Sequence, residues 1–358
     1  MAIYPRGEGD RRIDPAALER VAAAIFARCG MSGEDAAILA GSLVASDRRG
    51  ILSHGVLRIP DYVKKLTKDG VDPRGRPAVV SDRGAAIVVD GHNAMGQIGG
   101  TFAMEKAIAR AAEIGIGFAA VRGSNHCGAM DWYTLMAARR GMIGIAGTNA
   151  IPTMAPWGGI DKIVGINPLS VAFPAAKSAP FVLDFAFGAT AHGKIRVYAQ
   201  KGSPIPEGWA FDAAGNPTTD ATAALTGLIQ PIGQHKGVGL GMAVGMLASL
   251  LSGAAYGTAS GTMATGAVVG ADGHFFMAID IGFFEDPERF RERVDAVIAE
   301  VHGSGRREGV ERLYVPGEIE AGLEAASRDG IYLPGATVDD IVGVAKRLGV
   351  DAAPLAAG

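Results

Sequence analysis

Gln234-His235-Lys236-Gly237-Val238-Gly239-Leu240-Gly241-Met242-Ala243-Val244-Gly245 decides between two folds. Gly239 and Gly241 supply the G-x-G that opens a dinucleotide-binding βαβ unit, where glycines let a helix N-terminus approach a pyrophosphate. The next glycine, Gly245, comes one residue too late for G-x-G-x-x-G, and Gln234-His235-Lys236 is not a buried strand. The stretch therefore reads as a buried helix whose glycines permit close packing, and not as a Rossmann fingerprint. Lys236 at its start is placed to meet a phosphate or carboxylate. A solvated lysine is the plain alternative.

Around that stretch the chain is mixed α/β. Asp14-Pro15 reads as N-cap and first helical residue, with Gly30 as the stop, and a second helix is expected from Ser32 to Arg48. These amphipathic segments suggest a helical cap or an interface between copies of the chain. From Pro77 onward, β-rich runs at Ala85–Val89, Phe118–Val121, Met142–Ala146 and Phe181–Phe185 alternate with helices. Further helices are expected over Pro287–His302, after the turn at Val315–Glu318, and over Val338–Leu348. The apolar residues from Ala352 to Gly358 lack periodicity and suggest a frayed tail.

Composition narrows the function. The 358 residues are 48% hydrophobic, enough for a sizeable core in two domains or one large elaborated one. A net charge of −3 shows no broad basic field, which disfavours nucleic acid as a partner. Cys29 and Cys127 form no paired motif, so neither a disulfide scaffold nor a structural zinc is expected, and a reducing cytoplasm fits. The start, Met1-Ala2-Ile3-Tyr4-Pro5-Arg6, lacks the apolar core of a secretory signal. Val238–Leu251 is short for a membrane span, so no membrane attachment is expected.

Three blocks carry chemistry. Ser53-His54-Gly55-Val56-Leu57-Arg58 places a hydroxyl, an imidazole and a guanidinium together, a set suited to a small acid whose neighbouring carbon exchanges a proton. The spacing would put His54 and Arg58 on one helix face, but Pro60 disfavours helix at Ile59. Gly123-Ser124-Asn125-His126-Cys127-Gly128 offers His126 from a strand-to-helix loop, either as an acid/base or as a satisfied turn histidine. Asp131, opening the next helix, reads as a helix-dipole acid or a substrate contact. Leu183-Asp184-Phe185-Ala186-Phe187-Gly188 puts Asp184 at a strand end, where it would orient His54 or cap the helix His192–Gln200. His54, His126 and Asp184 also make a conceivable metal triad, although no motif of metal-ligand spacing supports one, and no metal is expected.

Nine segments in collinear order resemble one family. They are Ser53–Arg58, Ser124-Asn125-His126, Thr148-Asn149-Ala150, Ala155–Gly159, Gly165–Leu169, Ile205–Ala210, Pro217–Asp220, His235-Lys236-Gly237 and Pro316-Gly317-Glu318. Together they resemble the type-2 malate/L-lactate dehydrogenase family, whose members also reduce sulfopyruvate, diketogulonate and cyclic imino acids or oxidise ureidoglycolate. The resemblance implies a fold distinct from the Rossmann dehydrogenases, with a largely β nucleotide-binding region, helical outer segments and sites near a homodimer interface. It divides the chain into an N-terminal helical segment at 1–75 carrying part of the site, a β-rich nucleotide-binding core at 76–315, and C-terminal helices at 316–358 returning to the cofactor.

The implied activity is hydride transfer between NAD or NADP, with NAD favoured, and a small 2-hydroxy acid/2-oxo acid pair such as malate, lactate or sulfolactate. The alternatives are a reductase of cyclic imino acids, a ureidoglycolate dehydrogenase, a metal-dependent lyase or hydrolase, and an inactive binding protein. By motif, His54 matches the proton donor, with Asp184 supporting it, and His126 matches a histidine given acid/base duty in some members. Ser53, Arg58 and Asn149 match substrate-binding positions. Asp184, Phe185, Ala186, Phe187, Gly188, His235, Lys236, Gly317, Glu318 and Ile319 match cofactor-contacting ones. Many relatives read Asp-x-Ala-Thr-Ser where this chain has Asp184–Gly188, and Asp131-Trp132 replaces a common Gly-Tyr pair. These departures leave cofactor preference and substrate open.

Overall fold

Seven strands build one sheet: β1 (Ala78–Arg83), β2 (Ala86–Asp90), β3 (Ile116–Ser124), β4 (Ile143–Thr148), β5 (Leu169–Phe173), β6 (Phe181–Phe185) and β7 (Asp272–Ile279). Buried and less buried residues alternate most clearly along β2 and β5. The computed structural model describes residue 7 and residues 9–200, 202–260 and 269–356. The spatial order is β1-β2-β3-β7-β4-β5-β6. Only β2 and β3 run parallel, joined by the crossover helix Gly96–Ile114; every other neighbouring pair is antiparallel. A doubly wound dinucleotide fold needs a mostly parallel sheet, so the topology agrees with rejecting the glycine fingerprint.

Period-two alternation sends neighbours on β7 to opposite faces. Phe276 and Ala278 pack with Met104, Ala107 and Tyr133 under the helices Gly96–Ile114 and Asp131–Ala138. Phe275 packs with Val244 and Ala248 of the helix His235–Ser249 on the other face. The glycines of that helix allow close approach: a Cβ at Gly245 would lie 2.4 Å from Asn167 Nδ2, and one at Gly237 would lie 1.8 Å from the Ile232 carbonyl. The expected burial holds on one side only. Leu240, Met246, Leu247, Leu250 and Leu251 form an exposed stripe.

A separate core joins the two ends of the chain. The helices Pro15–Arg28, Gly33–Arg48 and Gly335–Arg347 bury Leu18, Ile25, Phe26, Leu39, Leu43, Ile341 and Val344 together. The antiparallel ribbon Asp10–Ile13 with Ile331–Pro334 ties the two ends. Asp14 caps the first helix by accepting from Ala17 N at 2.8 Å, and Ser32 caps the second through Asp35 N at 3.1 Å. The apolar faces of the N-terminal helices are thus covered by this chain itself.

Two local expectations are corrected. The helix Ile59–Thr67 begins at Ile59 despite Pro60, because a proline in the first turn removes no intrahelical hydrogen bond. The tail is not frayed through residue 355: a short helix, Ala353–Ala356, places Leu355 in the outer core, fully buried. Residues 357 and 358 lie outside the described residues. No described helix is long and apolar enough to cross a membrane.

Candidate active site

The His54 segment is built from the end of the helix Gly33–Arg48. Two short 3-10 turns, Leu52–His54 and Val56–Arg58, meet at Gly55, so His54 and Arg58 do not share one helix face. Beneath Gly55 lies the buried carboxyl of Asp47, which accepts from Val56 N at 2.8 Å. A Cβ at Gly55 would lie 1.8 Å from Asp47 Oδ1. Burial pushes the Asp47 carboxyl up to about 8, partly opposed by the Val56 N–H.

His54 stacks on His126, with ring centroids 5.8 Å apart and planes 15° from parallel. His54 Nδ1 is 2.9 Å from Ser53 Oγ. His126 Nδ1 is 2.8 Å from the Tyr62 hydroxyl, which in turn accepts from Gln97 Nε2 at 2.9 Å. Burial and the Arg58 charge lower His54 to about 4. Burial lowers His126 well below its ordinary value, and the Arg58 charge adds to it, as do His54 and His274 when protonated. Arg58 donates from Nε to the Ser53 carbonyl at 2.7 Å and from Nη1 to Asp61 at 3.2 Å, and among the described residues nothing pairs with Nη2, the remaining end of its fork.

Asp184, near the end of β6, accepts from Asp131 N at 2.7 Å and so caps the helix Asp131–Ala138 instead of His192–Gln200. Burial and the neighbouring Asp131 charge raise its carboxyl, against the backbone N–H bonds that lower it. Asp131 itself takes Arg49 Nε at 2.7 Å, and Arg49 Nη1 reaches Glu324 at 2.9 Å. No hydrogen bond joins Asp184 to His54 among the described residues: the two face one cleft, and Asp184 is not the histidine's direct partner.

That cleft, about 620 Å³, gathers much of the expected site. Ser53 and His54 meet Asp184, Phe185, Ala186, Gly317 and Ile319 along its walls. Other expected residues lie elsewhere. Phe187 is buried in the core against Phe185, ring centroids 4.8 Å apart, so its side chain is closed to a ligand. Gly188 pairs with Pro231, and a Cβ there would lie 2.8 Å from Ile166 and Ile229. Glu318 turns away to His302 Nε2 at 2.8 Å, Val315 N at 3.1 Å and Arg312. His235 and Lys236 stand exposed at the start of their helix, outside the cleft wall. Asn149 is buried: its amide donates to Ser249 Oγ at 3.0 Å and the Ala255 carbonyl at 3.1 Å and accepts from Gly273 N at 3.2 Å, so it ties loops together away from the cleft.

Four residues at the site were not singled out in the sequence: Asp47, Arg49, Tyr62 and Gln97. Their one signal is polarity in an apolar setting. Asp47 and Arg49 end a helix rich in Ala and Leu, and Gln97 interrupts Gly96-Gln97-Ile98-Gly99-Gly100.

The walls fit a nicotinamide dinucleotide. The cleft lies in the range of about 300–1,000 Å³ usual for small-molecule sites. The helix Glu318–Ala326 opens on it with Gly317 as a left-handed N-cap and no side chain capping its first N–H groups, an arrangement suited to phosphate. A Cβ at Gly317 would press within 2.9 Å of the Val182 backbone, so glycine keeps that wall close. Ile166, Pro168 and Phe185 provide flat apolar surface for a ring. Among the described residues no three His, Cys, Asp or Glu side chains converge as metal ligands.

The malate/L-lactate dehydrogenase family matches residues 13–342, and the chain belongs to it. It is therefore an oxidoreductase, as the nine collinear segments implied. Malate dehydrogenase of Pyrococcus horikoshii is 38% identical over 337 residues, covering 91% of this chain and 92% of that protein. The solved structure of sulfolactate dehydrogenase from Methanocaldococcus jannaschii matches with a TM-score of 0.89 at 36% identity, covering 95% of this chain and 98% of that one. Delta(1)-pyrroline-2-carboxylate reductase of Pseudomonas fluorescens is 32% identical over 327 residues, covering 89% and 94%.

Proposed function

We propose that the chain transfers a hydride between a nicotinamide dinucleotide and carbon 2 of a small 2-hydroxy acid/2-oxo acid pair, with His54 exchanging the proton at the oxygen. The observation that carries this reading is His54 itself: its ring faces the cleft beside Asp184 and Gly317, and its Nε2 has no partner among the described residues. Lowered to about 4, the imidazole is neutral near pH 7 and ready to take the hydroxyl proton as a general base. Arg58 offers Nη2 to the substrate carboxylate. That pairing offsets the charge that disfavours imidazolium at His54, so a bound acid makes the proton easier to hold.

The dinucleotide supplies the hydride donor or acceptor when bound. Phe185, Ile166 and Pro168 would flank its ring, and the N–H groups at Ile319 and Glu320 would hold phosphate oxygens. Among the described lining residues Arg49 is the one Arg or Lys, and it is paired with Asp131 and Glu324, so none of these residues offers an open cation to a ribose phosphate, which favours NAD. On this reading the segment 1–75 brings the proton-transfer group, and 76–315 with 316–358 brings the cofactor walls. The stripe Leu240, Met246, Leu247, Leu250 and Leu251 would be covered by a second copy in a homodimer. Two buried free thiols, Cys29 and Cys127, suit a reducing cytoplasm.

A screen of malate, lactate, sulfolactate and ureidoglycolate with NAD and NADP, run beside cyclic imino acids with the reduced forms, tests the reading. Oxidation of at least one 2-hydroxy acid, faster with NAD, is expected. Turnover confined to cyclic imines would move the substrate class. Turnover that needs no dinucleotide and stops on chelation would overturn hydride transfer.

A further inference from the structure

The Tyr62 side chain is fully buried on the helix Ile59–Thr67, with its hydroxyl between Gln97 Nε2 at 2.9 Å and His126 Nδ1 at 2.8 Å. His126 Nδ1 has a second neighbour, the Gly128 N–H at 3.3 Å. A backbone N–H only donates, so it selects the ring form in which Nδ1 bears a lone pair. The Tyr62 oxygen accepts from the Gln97 amide and has its own proton to give that same nitrogen. Burial pushes the Tyr62 phenol well up, so the proton stays on oxygen. Two donors on Nδ1 leave the proton of a neutral imidazole on Nε2, and Nε2 has no partner among the described residues.

We propose that Tyr62 is a positioning residue which, backed by Gln97, holds His126 as the neutral Nε2–H tautomer, making that ring a fixed hydrogen-bond donor to the oxygen on carbon 2 of the substrate. The two stacked histidines then divide the work. His54, with the Ser53 hydroxyl on Nδ1, exchanges the proton; His126 polarises the oxygen and exchanges no proton with it. The neighbours favour the neutral ring: the Tyr62 phenol keeps its proton and donates, Arg58 carries positive charge against an imidazolium, and His54, stacked on the ring, and His274 add to that only when they are protonated. Gly128 is part of the device. Its φ is +78°, and a Cβ there would lie 3.0 Å from Gln97 Nε2, so glycine both adopts the turn and leaves room for the amide behind Tyr62.

The identity of the oxygen rests on the proposed hydride transfer, whereas the tautomer does not. The full chain labelled with [15N]histidine, with His126→Gln to assign the signal, reads the tautomer directly by NMR. The parent should show a protonated Nε2 and a bare Nδ1 that persist below the ordinary histidine range of about 6.5. Tyr62→Phe should shift both nitrogens toward a tautomer average and raise the pH at which the ring titrates. The same variant should lose about tenfold in kcat/KM for the 2-hydroxy acid, while the acid limb set by His54 stays in place. A parent spectrum with Nδ1 protonated would overturn the proposal, as would Tyr62→Phe with an unchanged spectrum. If no substrate turns over, hydride transfer fails while the spectrum still decides the tautomer.

Discussion

The carboxyl of Asp47 occupies the space where a side chain on Gly55 would begin: a Cβ there would lie 1.8 Å from Asp47 Oδ1. The φ of Gly55 is −88°, so contact, and not backbone strain, demands glycine. Gly55→Ala should therefore push the His54 turn off its seat while the two cores persist. A displacement of about 1 Å at a reacting group costs on the order of 10²-fold in rate. Turnover measured beside circular dichroism should show that loss with the folded signal retained; a fully active alanine variant would show that the segment tolerates displacement.

Asp47 also makes a stability prediction. Its folded value of about 8 stands above the unfolded value near 3.8, so its contribution is complete below about 3.8 and is lost as pH rises toward 8. Asn keeps the acceptor for Val56 N and cannot ionise. Melting curves should show Asp47→Asn losing less stability than the parent between pH 5 and pH 9, where the carboxyl's two values bracket most of that interval. Parallel curves would mean that Asp47 ionises as easily folded as unfolded.

The rate profile follows from His54. Oxidation needs the unprotonated ring, so kcat/KM for a 2-hydroxy acid should be flat through neutral pH and fall only as pH drops through about 4. Reduction needs the protonated ring, and its kcat/KM should fall tenfold per unit above that value. Initial rates in both directions check this. A break near the ordinary histidine value of about 6.5 would show that Arg58 and burial do not depress His54.

What was legible in the sequence is what local chemistry controls. Asp14 and Ser32 announced their helices because capping is read within four residues, and Gly245 excluded the Rossmann fingerprint by spacing alone. His54, Asp184 and Gly317, matched by motif, line one cleft. The failures concern long-range contact. Nothing local says that Asn149 ends under Ser249, that Phe187 turns into the core, or that Glu318 prefers His302. Tyr62 meets His126 across 64 positions of chain and Gln97 meets Tyr62 across 35, beyond any motif's reach. Leu355 was missed because one buried side chain in a short tail leaves no period to read.

Assembly is the next test. The N-terminal helices bury their apolar faces within the chain, so the exposed stripe from Leu240 to Leu251 is the surface expected to join two copies. Leu247→Glu with Leu250→Glu should give a folded monomer by light scattering, because charge on a desolvated interface is strongly unfavourable. An unchanged dimer would place the interface elsewhere.

His54→Gln tests the central claim most directly. Glutamine retains hydrogen bonding and size but cannot exchange a proton. Fluorescence titration with NADH should give nearly parental binding, while turnover of the 2-hydroxy acid found in the screen should fall by about 10²-fold or more. Near-parental turnover by His54→Gln, with the dinucleotide bound as tightly as before, would contradict the account by assigning proton transfer to another group.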